Sequence, residues 1–174
     1  MTKKDKKTFV PLSISLLTIS DTRNIDNDTS GNLLVSLIEE SGHNLVDRKI
    51  VKDNIFEIRS NVSRWISSKN INVIITTGGT GITGKDGTPE AIEILLDKKI
   101  DGFGEIFRYL SYKDIGTSSI QSRAIAGVAN STFIFSLPGS TNACKTAWEK
   151  IISFQLDSRT LPCNLAELIP RLEE

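Results

Sequence analysis

The residues best suited to chemistry in this chain lie in one stretch, Gly78 to Glu90. Five glycines, Gly78, Gly79, Gly81, Gly84 and Gly87, alternate with Thr80, Thr83 and the carboxylate of Asp86. Glycine lets the main chain approach a ligand closely and adopt positive φ, while threonine hydroxyls and loose amides donate to phosphate oxygens. The chemistry expected here is an oxyanion or phosphate cradle. It follows the β-branched run Val73 to Thr77, and it ends at Thr88-Pro89-Glu90, the signature of a starting helix.

Two familiar phosphate motifs fit this loop literally and fail on context. Gly79-Thr80-Gly81-Ile82-Thr83-Gly84 matches the dinucleotide pattern G-x-G-x-x-G. In a dinucleotide fold, however, the helix opens among the glycines, whereas here Lys85, Asp86 and Gly87 intervene. A nicotinamide-dependent oxidoreductase would rest on that pattern alone. Gly79 to Lys85 also matches G-x-x-x-x-G-K, but Asp86 stands where a hydroxyl should hold Mg²⁺. An aspartate there can bind hydrated Mg²⁺ itself, because this ion takes one or two carboxylates plus substrate phosphates. A glycine-rich loop with no ligand is the plain alternative.

Three further polar motifs directly follow apolar runs: Ser20-Asp21-Thr22-Arg23, Asp53, and Pro138-Gly139-Ser140-Thr141-Asn142. Stepping outward from them, Leu12 to Ile19 is apolar on both parities, as in a strand covered on both faces. Thr29 or Ser30 can cap a helix bearing Leu33, Leu34, Leu37 and Ile38 and stopped at Gly42. A weaker strand spans Asn44 to Val51. Asn54 with Glu57 resembles a capping box ahead of Ile55, Ile58, Val62, Trp65 and Ile66, with Trp65 in the core.

Ala91, Ile92, Leu95 and Leu96 mark a further helix, and Phe103, Ile106, Phe107 and Leu110 another, with Glu105 and Arg108 as a helix-face pair. Ala124–Ala129 and Thr132–Leu137 read as strands joined by a tight turn at Asn130-Ser131, one of them antiparallel. Ala143, Ala147, Trp148, Ile151 and Ile152 follow on a helix, and Leu165, Leu168, Ile169 and Leu172 on a short docked one.

This alternation predicts a three-layer α/β/α fold with a mostly parallel sheet and one antiparallel strand. Ligands in such folds bind beyond the carboxyl ends of the strands. If the preceding strands are parallel, all four polar motifs meet at one sheet edge.

Bulk properties narrow the function classes. At 174 residues the chain is one domain, taken as residues 11–174 behind a flexible basic tail at 1–10 containing Lys3, Lys4, Lys6 and Lys7. The 21 basic and 21 acidic residues cancel, so charge gives no basis for nucleic acid or a membrane surface as partner. No apolar run is long enough to span a bilayer. Cys144 and Cys163 are the only cysteines and His43 the only histidine, which excludes a conventional Cys/His metal centre. Both thiols read as reduced in a cytoplasmic protein, and His43 as a surface cation at a helix end.

The chain resembles the MoaB branch of the MoaB/MogA proteins of molybdenum-cofactor biosynthesis over about Pro11 to Asn164. The carriers are Asp28-Thr29-Ser30-Gly31, Thr77-Gly78-Gly79-Thr80-Gly81, Thr88-Pro89-Glu90-Ala91, Gly102-Phe103-Gly104-Glu105, Gly116-Thr117-Ser118, Ser122-Arg123 and Leu137-Pro138-Gly139-Ser140. The resemblance implies an α/β/α fold assembled as trimers, or as hexamers of two trimers. It further implies binding of molybdopterin and transfer of AMP from ATP to its terminal phosphate, with release of pyrophosphate. Two family aspartates, which would position Mg²⁺, correspond to Asp53 and Asp86. Ligand contacts would come from Asp21, Thr77, Gly78, Gly79, Thr80, Gly81, Pro138, Gly139 and Ser140. Ser140-Thr141 replaces the Asn-Pro or Gln-Pro of MogA-type relatives, a departure that touches the pterin-side contacts.

Each of these residues also has a purely structural reading. Asp53 before Asn54 can belong to a helix N-cap, and Asp86 before Gly87 to a turn. Asp21 can make an Asx turn. Ser140 can cap a helix and serve an anion site together. Arg123 can contact phosphate or a subunit interface. A non-catalytic molybdopterin-binding or assembly protein is the alternative to the enzyme.

Overall fold

Six strands form one sheet in the order β2-β1-β3-β6-β5-β4. In chain order they are β1 (Ser13–Ile19), β2 (Asn44–Val51), β3 (Val73–Thr77), β4 (Lys98–Lys99), β5 (Ile125–Ala129) and β6 (Thr132–Leu137). The computed structural model describes residues 7–173. β1, β2, β3 and β6 run parallel, and β5 runs against β6 and β4. The expected layers and the single antiparallel strand are both present. The two-residue β4 is additional, and its lysines suit an edge because exposed charge discourages further strand pairing.

Residues of the central strands alternate between two cores. Ile14, Leu16, Val73, Ile75, Phe133, Phe135 and Leu137 face one layer. It is built from α1 (Thr29–Glu40), α4 (Asp101–Ile115), α5 (Thr141–Ala147) and α6 (Ser153–Leu156). Leu17, Ile19, Ile74 and Ile134 face the other, built from α2 (Ile55–Ile66) and α3 (Thr88–Glu93). A strand covered on both faces must be apolar at successive positions, which accounts for the continuous apolar runs. Phe103 of α4 meets Phe135 edge-on, with ring centroids 5.2 Å apart. The α5 helix passes through one π-helical turn, Trp148–Ile152, before α6.

Local chemistry set several boundaries differently from expectation. α1 is capped by Asp28, whose Oδ1 accepts the Gly31 amide at 3.0 Å, so neither Thr29 nor Ser30 is the cap. α3 stops at Glu93, and Leu95 and Leu96 pack beyond its end. Arg108 donates to the Ala124 carbonyl at 3.3 Å in place of the expected pair with Glu105. The C-terminal apolar residues form a 3₁₀ turn, Ala166–Arg171, because Pro170 within it removes an amide an α-helix would use. Asn130 and Ser131 take φ of 45° and 66° between β5 and β6, as a two-residue hairpin turn requires.

The expected tail boundary also moves. Residues 1–6 lie outside the described residues, but Lys7 pairs with Glu167. The Ser158 hydroxyl accepts the Val10 amide at 3.0 Å and donates to the Thr8 carbonyl at 2.9 Å. Phe9 rests against His43, with ring centroids 5.1 Å apart. His43 is consequently no surface cation. It is 5 % exposed, its Nδ1 accepts the Leu12 amide at 3.2 Å, and burial lowers its pKa.

Candidate active site

β1, β2, β3 and β6 all point the same way, so the loops that follow them share one edge of the sheet. The loop after β3 is fixed at both ends. Gly78 donates its amide to the Leu137 carbonyl at 3.0 Å and has φ of 103°. A Cβ there would lie 2.2 Å from the Ile19 carbonyl oxygen, so only glycine fits between β1 and β6 at this height. Thr88, the first residue of α3, returns to the start of the loop: its amide donates to the Gly79 carbonyl and its hydroxyl to that of Gly78, each at 2.9 Å. The late helix therefore closes the loop on itself.

Arg123 holds the same loop from the chain ahead of β5. Its Nε donates to the Gly81 carbonyl at 2.7 Å, its Nη2 to the Asp86 carbonyl at 2.5 Å, and its Nη1 pairs with Glu90. Its backbone amide reaches the Thr80 carbonyl at 3.3 Å. In the described chain this side chain is thus a clamp on the glycine loop.

Three aspartates gather around the loop in different states. Asp86 Oδ2 accepts the Thr83 hydroxyl and, at 2.9 Å, its amide. The Thr83 hydroxyl and neighbouring amides hold its carboxyl below the usual range. Asp21 accepts the Lys85 ammonium at 2.6 Å and the Asp53 amide at 3.2 Å, and these also hold its carboxyl low. It makes this cross-loop bridge in place of an Asx turn.

Asp53 is the exception. Burial raises its pKa, the Gly87 amide at 3.5 Å opposes the rise, and the charges of Asp86 and Asp21 add to it. It does not cap α2; Asn54 does, accepting the amides of Phe56 and Glu57 at 2.9 and 3.2 Å. A half-buried carboxylate facing two others is the arrangement a cation relieves.

The carboxylates of Asp53 and Asp86 are oxygen donors of the kind Mg²⁺ takes. Among the described residues no group of three or more His, Cys, Asp or Glu side chains could hold a metal ion by itself. Two carboxylates that leave positions for water and substrate phosphate are what Mg²⁺ accepts. Asp53 and Asp86 would be those two.

Beside the glycine loop lies a cavity of about 440 Å³. Thr77, Gly78, Gly79, Thr80, Gly81 and Asp86 form one wall, Pro138, Gly139 and Ser140 a second, and Ser20 and Arg23 a third. Ser140 caps α5, accepting the Ala143 amide at 3.2 Å. Phe107, Ser111 and Ile115 of α4, with Ser118, Gln121 and Ser122 of the following turn, also line the cavity, as do Thr18, Ile19, Ser30 and Ala143. Asp53 and Asp21 do not line it. Asp53 sits against the loop where a Cβ on Gly79 would come within 2.9 Å of its Oδ2. The Asp53 carboxylate thus adjoins the same loop that walls the cavity.

Sequence reasoning missed the α4 wall and the buried support beneath the cavity. Asp28, fully buried, accepts the Thr18 hydroxyl at 2.7 Å and Arg48 at 2.9 Å. Burial would raise its carboxyl, but these donors and the Gly31 amide outweigh it and the net shift is downward. The only signal was its place in Asp28-Thr29-Ser30-Gly31. Cys144 lies against the Thr77 hydroxyl at 3.2 Å, and burial pushes its thiol up to about 11, so it is inert at neutral pH.

A doubly covered sheet with a glycine loop and a cavity at its carboxyl edge defines the class of α/β folds whose ligands bind beyond the strand ends. Within it, the chain belongs to the family described as the probable molybdopterin binding domain, whose profile matches residues 15–158. The chain is 54 % identical over 156 residues to molybdenum cofactor biosynthesis protein B of Escherichia coli K12, covering 90 % of this chain and 92 % of that one. A crystal structure of a molybdenum cofactor biosynthesis protein B superposes with a TM-score of 0.87 at 39 % identity, covering 96 % of this chain and 99 % of that one. The tungsten cofactor synthesizing protein MoaB of Pyrococcus furiosus superposes with a TM-score of 0.77 at 34 % identity, covering 94 % and 98 %.

Proposed function

We propose that this protein acts in molybdenum-cofactor biosynthesis by binding molybdopterin and transferring AMP from ATP to its terminal phosphate. Family membership and the 54 % identical relative named for that pathway support the pathway role. The observation that carries the adenylyl-transfer reading is the glycine loop, which presents Asp86 to a cavity while Asp53, its carboxyl pKa raised by burial and by two like charges, sits against the same loop.

In the proposed reaction an oxygen of the pterin phosphate attacks the α-phosphorus of ATP. A P–O bond forms there as the bond to the β-phosphate breaks, and pyrophosphate leaves. The attacking oxygen is already ionised at neutral pH, so the absence of a catalytic histidine or nucleophilic cysteine is no obstacle. Mg²⁺, held by Asp53 and Asp86 with the ATP phosphates, would neutralise charge on the leaving group. The loop amides and Thr80 orient phosphate oxygens, and Pro138, Gly139 and Ser140 bound the ligand opposite them. We place the protein in the cytoplasm and expect self-association as a trimer or a hexamer of two trimers. Among the described residues no helix is long and apolar enough to cross a membrane.

One observation favours a second reading. The cavity is complete without Asp53, so a protein that binds the pterin and does not turn over would keep the same walls. Incubation with molybdopterin, ATP and Mg²⁺ separates the two. Adenylylated pterin and pyrophosphate are expected; pterin binding with no product, while a MogA-type control turns over, would establish the binding protein instead.

A further inference from the structure

Three of the cationic side chains near the cavity are committed elsewhere. Arg123 spends Nε, Nη1 and Nη2 on Gly81, Glu90 and Asp86. Lys85 is paired with Asp21 at 2.6 Å, and Arg48 with the buried Asp28 at 2.9 Å. Arg23 differs. It lines the cavity from the loop after β1. Its backbone amide is fixed by the Ser20 hydroxyl at 3.1 Å, and its Nη1 donates to the Asn27 carbonyl at 2.6 Å. Its Nε and Nη2 have no hydrogen bond or ion pair among the described residues.

A guanidinium anchored through one nitrogen, with the other two unspent, is organised to receive an oxyanion. For a phosphate ligand the surrounding charges make such a group valuable. Asp21, Asp53 and Asp86 surround the glycine loop, and the lining contains only two charged side chains, Asp86 and Arg23. A phosphate entering the cavity has no other lining cation to meet. The same lining offers the Ser122 hydroxyl, whose oxygen is buried and has no hydrogen-bond partner among the described residues.

We propose that Arg23 is the anion-recognising side chain of this cavity and binds a phosphate of the substrate through charge-assisted hydrogen bonds. The inference rests on the phosphate-ligand reading above and adds a residue to it. Both substrates carry phosphate, so the test has two arms.

Arg23→Gln and Arg23→Lys are titrated by fluorescence with molybdopterin and its dephosphorylated form, and by calorimetry with Mg-ATP and adenosine. Thermal melting controls for folding, and the exposed position of residues 21–27 leads us to expect unchanged stability. Wild type should prefer the phosphorylated member of each pair. Arg23→Gln should weaken binding of the phosphorylated member of one pair by about 10- to 100-fold, as expected for losing hydrogen bonds between charged groups, and leave its phosphate-free counterpart unchanged. Arg23→Lys should recover part of the loss. The arm in which preference collapses identifies the phosphate that Arg23 holds. If wild type discriminates and Arg23→Gln discriminates equally in both arms, the assignment to Arg23 is overturned and the functional reading stands. If wild type is indifferent to phosphate in both arms, both fall.

Discussion

Asp53 and Asp86 differ in what the fold does to them, and that difference separates their structural from their functional value. Asp86 is stabilised as a carboxylate by Thr83, whereas Asp53 is held with its pKa raised by burial and by like charges. A carboxyl whose folded pKa lies above its unfolded value destabilises the folded state once ionised. Asp53→Asn should therefore raise the melting temperature of the ligand-free protein while lowering adenylyl transfer by about 100-fold, the scale typical of removing one key electrostatic group. Asp86→Asn should slow transfer comparably without that gain in stability. Melting and turnover measured on both variants check this; Asp53→Asn that destabilises the apo protein would contradict it.

His43 supplies a pH prediction. Its folded pKa is lowered by burial, so the unfolded chain binds the proton more readily below the ordinary value of 6.5. Stability contributed by neutral His43 is fully present above that value and is lost as pH falls through the lowered one. Denaturant midpoints should decline on acidification from pH 7, and His43→Gln should flatten that decline. A pH slope unaltered by the substitution would show that other groups cause it. The buried role of His43 was not legible in Gly42-His43, because it depends on Phe9 and on Trp148 from the far end of the chain.

At the scale of elements, the glycine loop was the most readable part of the chain. Its composition singled out the stretch that walls the cavity, and Thr88-Pro89 placed the start of α3 correctly. Its geometry was not readable, since Gly78 is required by a carbonyl of β1 and an amide bond to β6, both distant in sequence. Gly78→Ala combines positive φ with a backbone clash, and should cost about 2 kcal/mol or more. It should also abolish ligand binding at temperatures where the fold survives. Chemical denaturation and pterin titration check this; a variant with wild-type stability would mean the loop relaxes freely. The α4 wall escaped sequence reading for another reason. Phe107, Ser111 and Ile115 follow helical spacing, and such a stripe reads as core until the sheet edge shows a cavity beneath it.

For the molecule as a whole, alternating strands and helices were enough to place the layers and to bring four loops to one edge. Strand order was not, because the pairing of β3 with both β1 and β6 arises from crossovers that local sequence does not encode. The surface adds an expectation about assembly. α4 and the turn after it expose Ile106, Tyr109, Tyr112 and Ile120, while Phe107 and Ser111 on the same helix line the cavity. Apolar exposure on that scale suits a subunit contact. Ile106→Glu with Tyr109→Glu should shift sedimentation from the proposed trimer or hexamer toward monomer, and assemblies unaffected by both changes would place the contact elsewhere.

The central claim is that AMP, and no other part of ATP, reaches the pterin phosphate. A single-turnover reaction with molybdopterin, Mg²⁺ and ATP labelled with ³²P at either the α or the γ position tests it most directly. The account predicts that α label moves to the pterin and γ label leaves as pyrophosphate, with both losses of transfer reproduced in Asp53→Asn and Asp86→Asn. Label from the γ position on the pterin, or no labelled pterin with bound molybdopterin present, would contradict it.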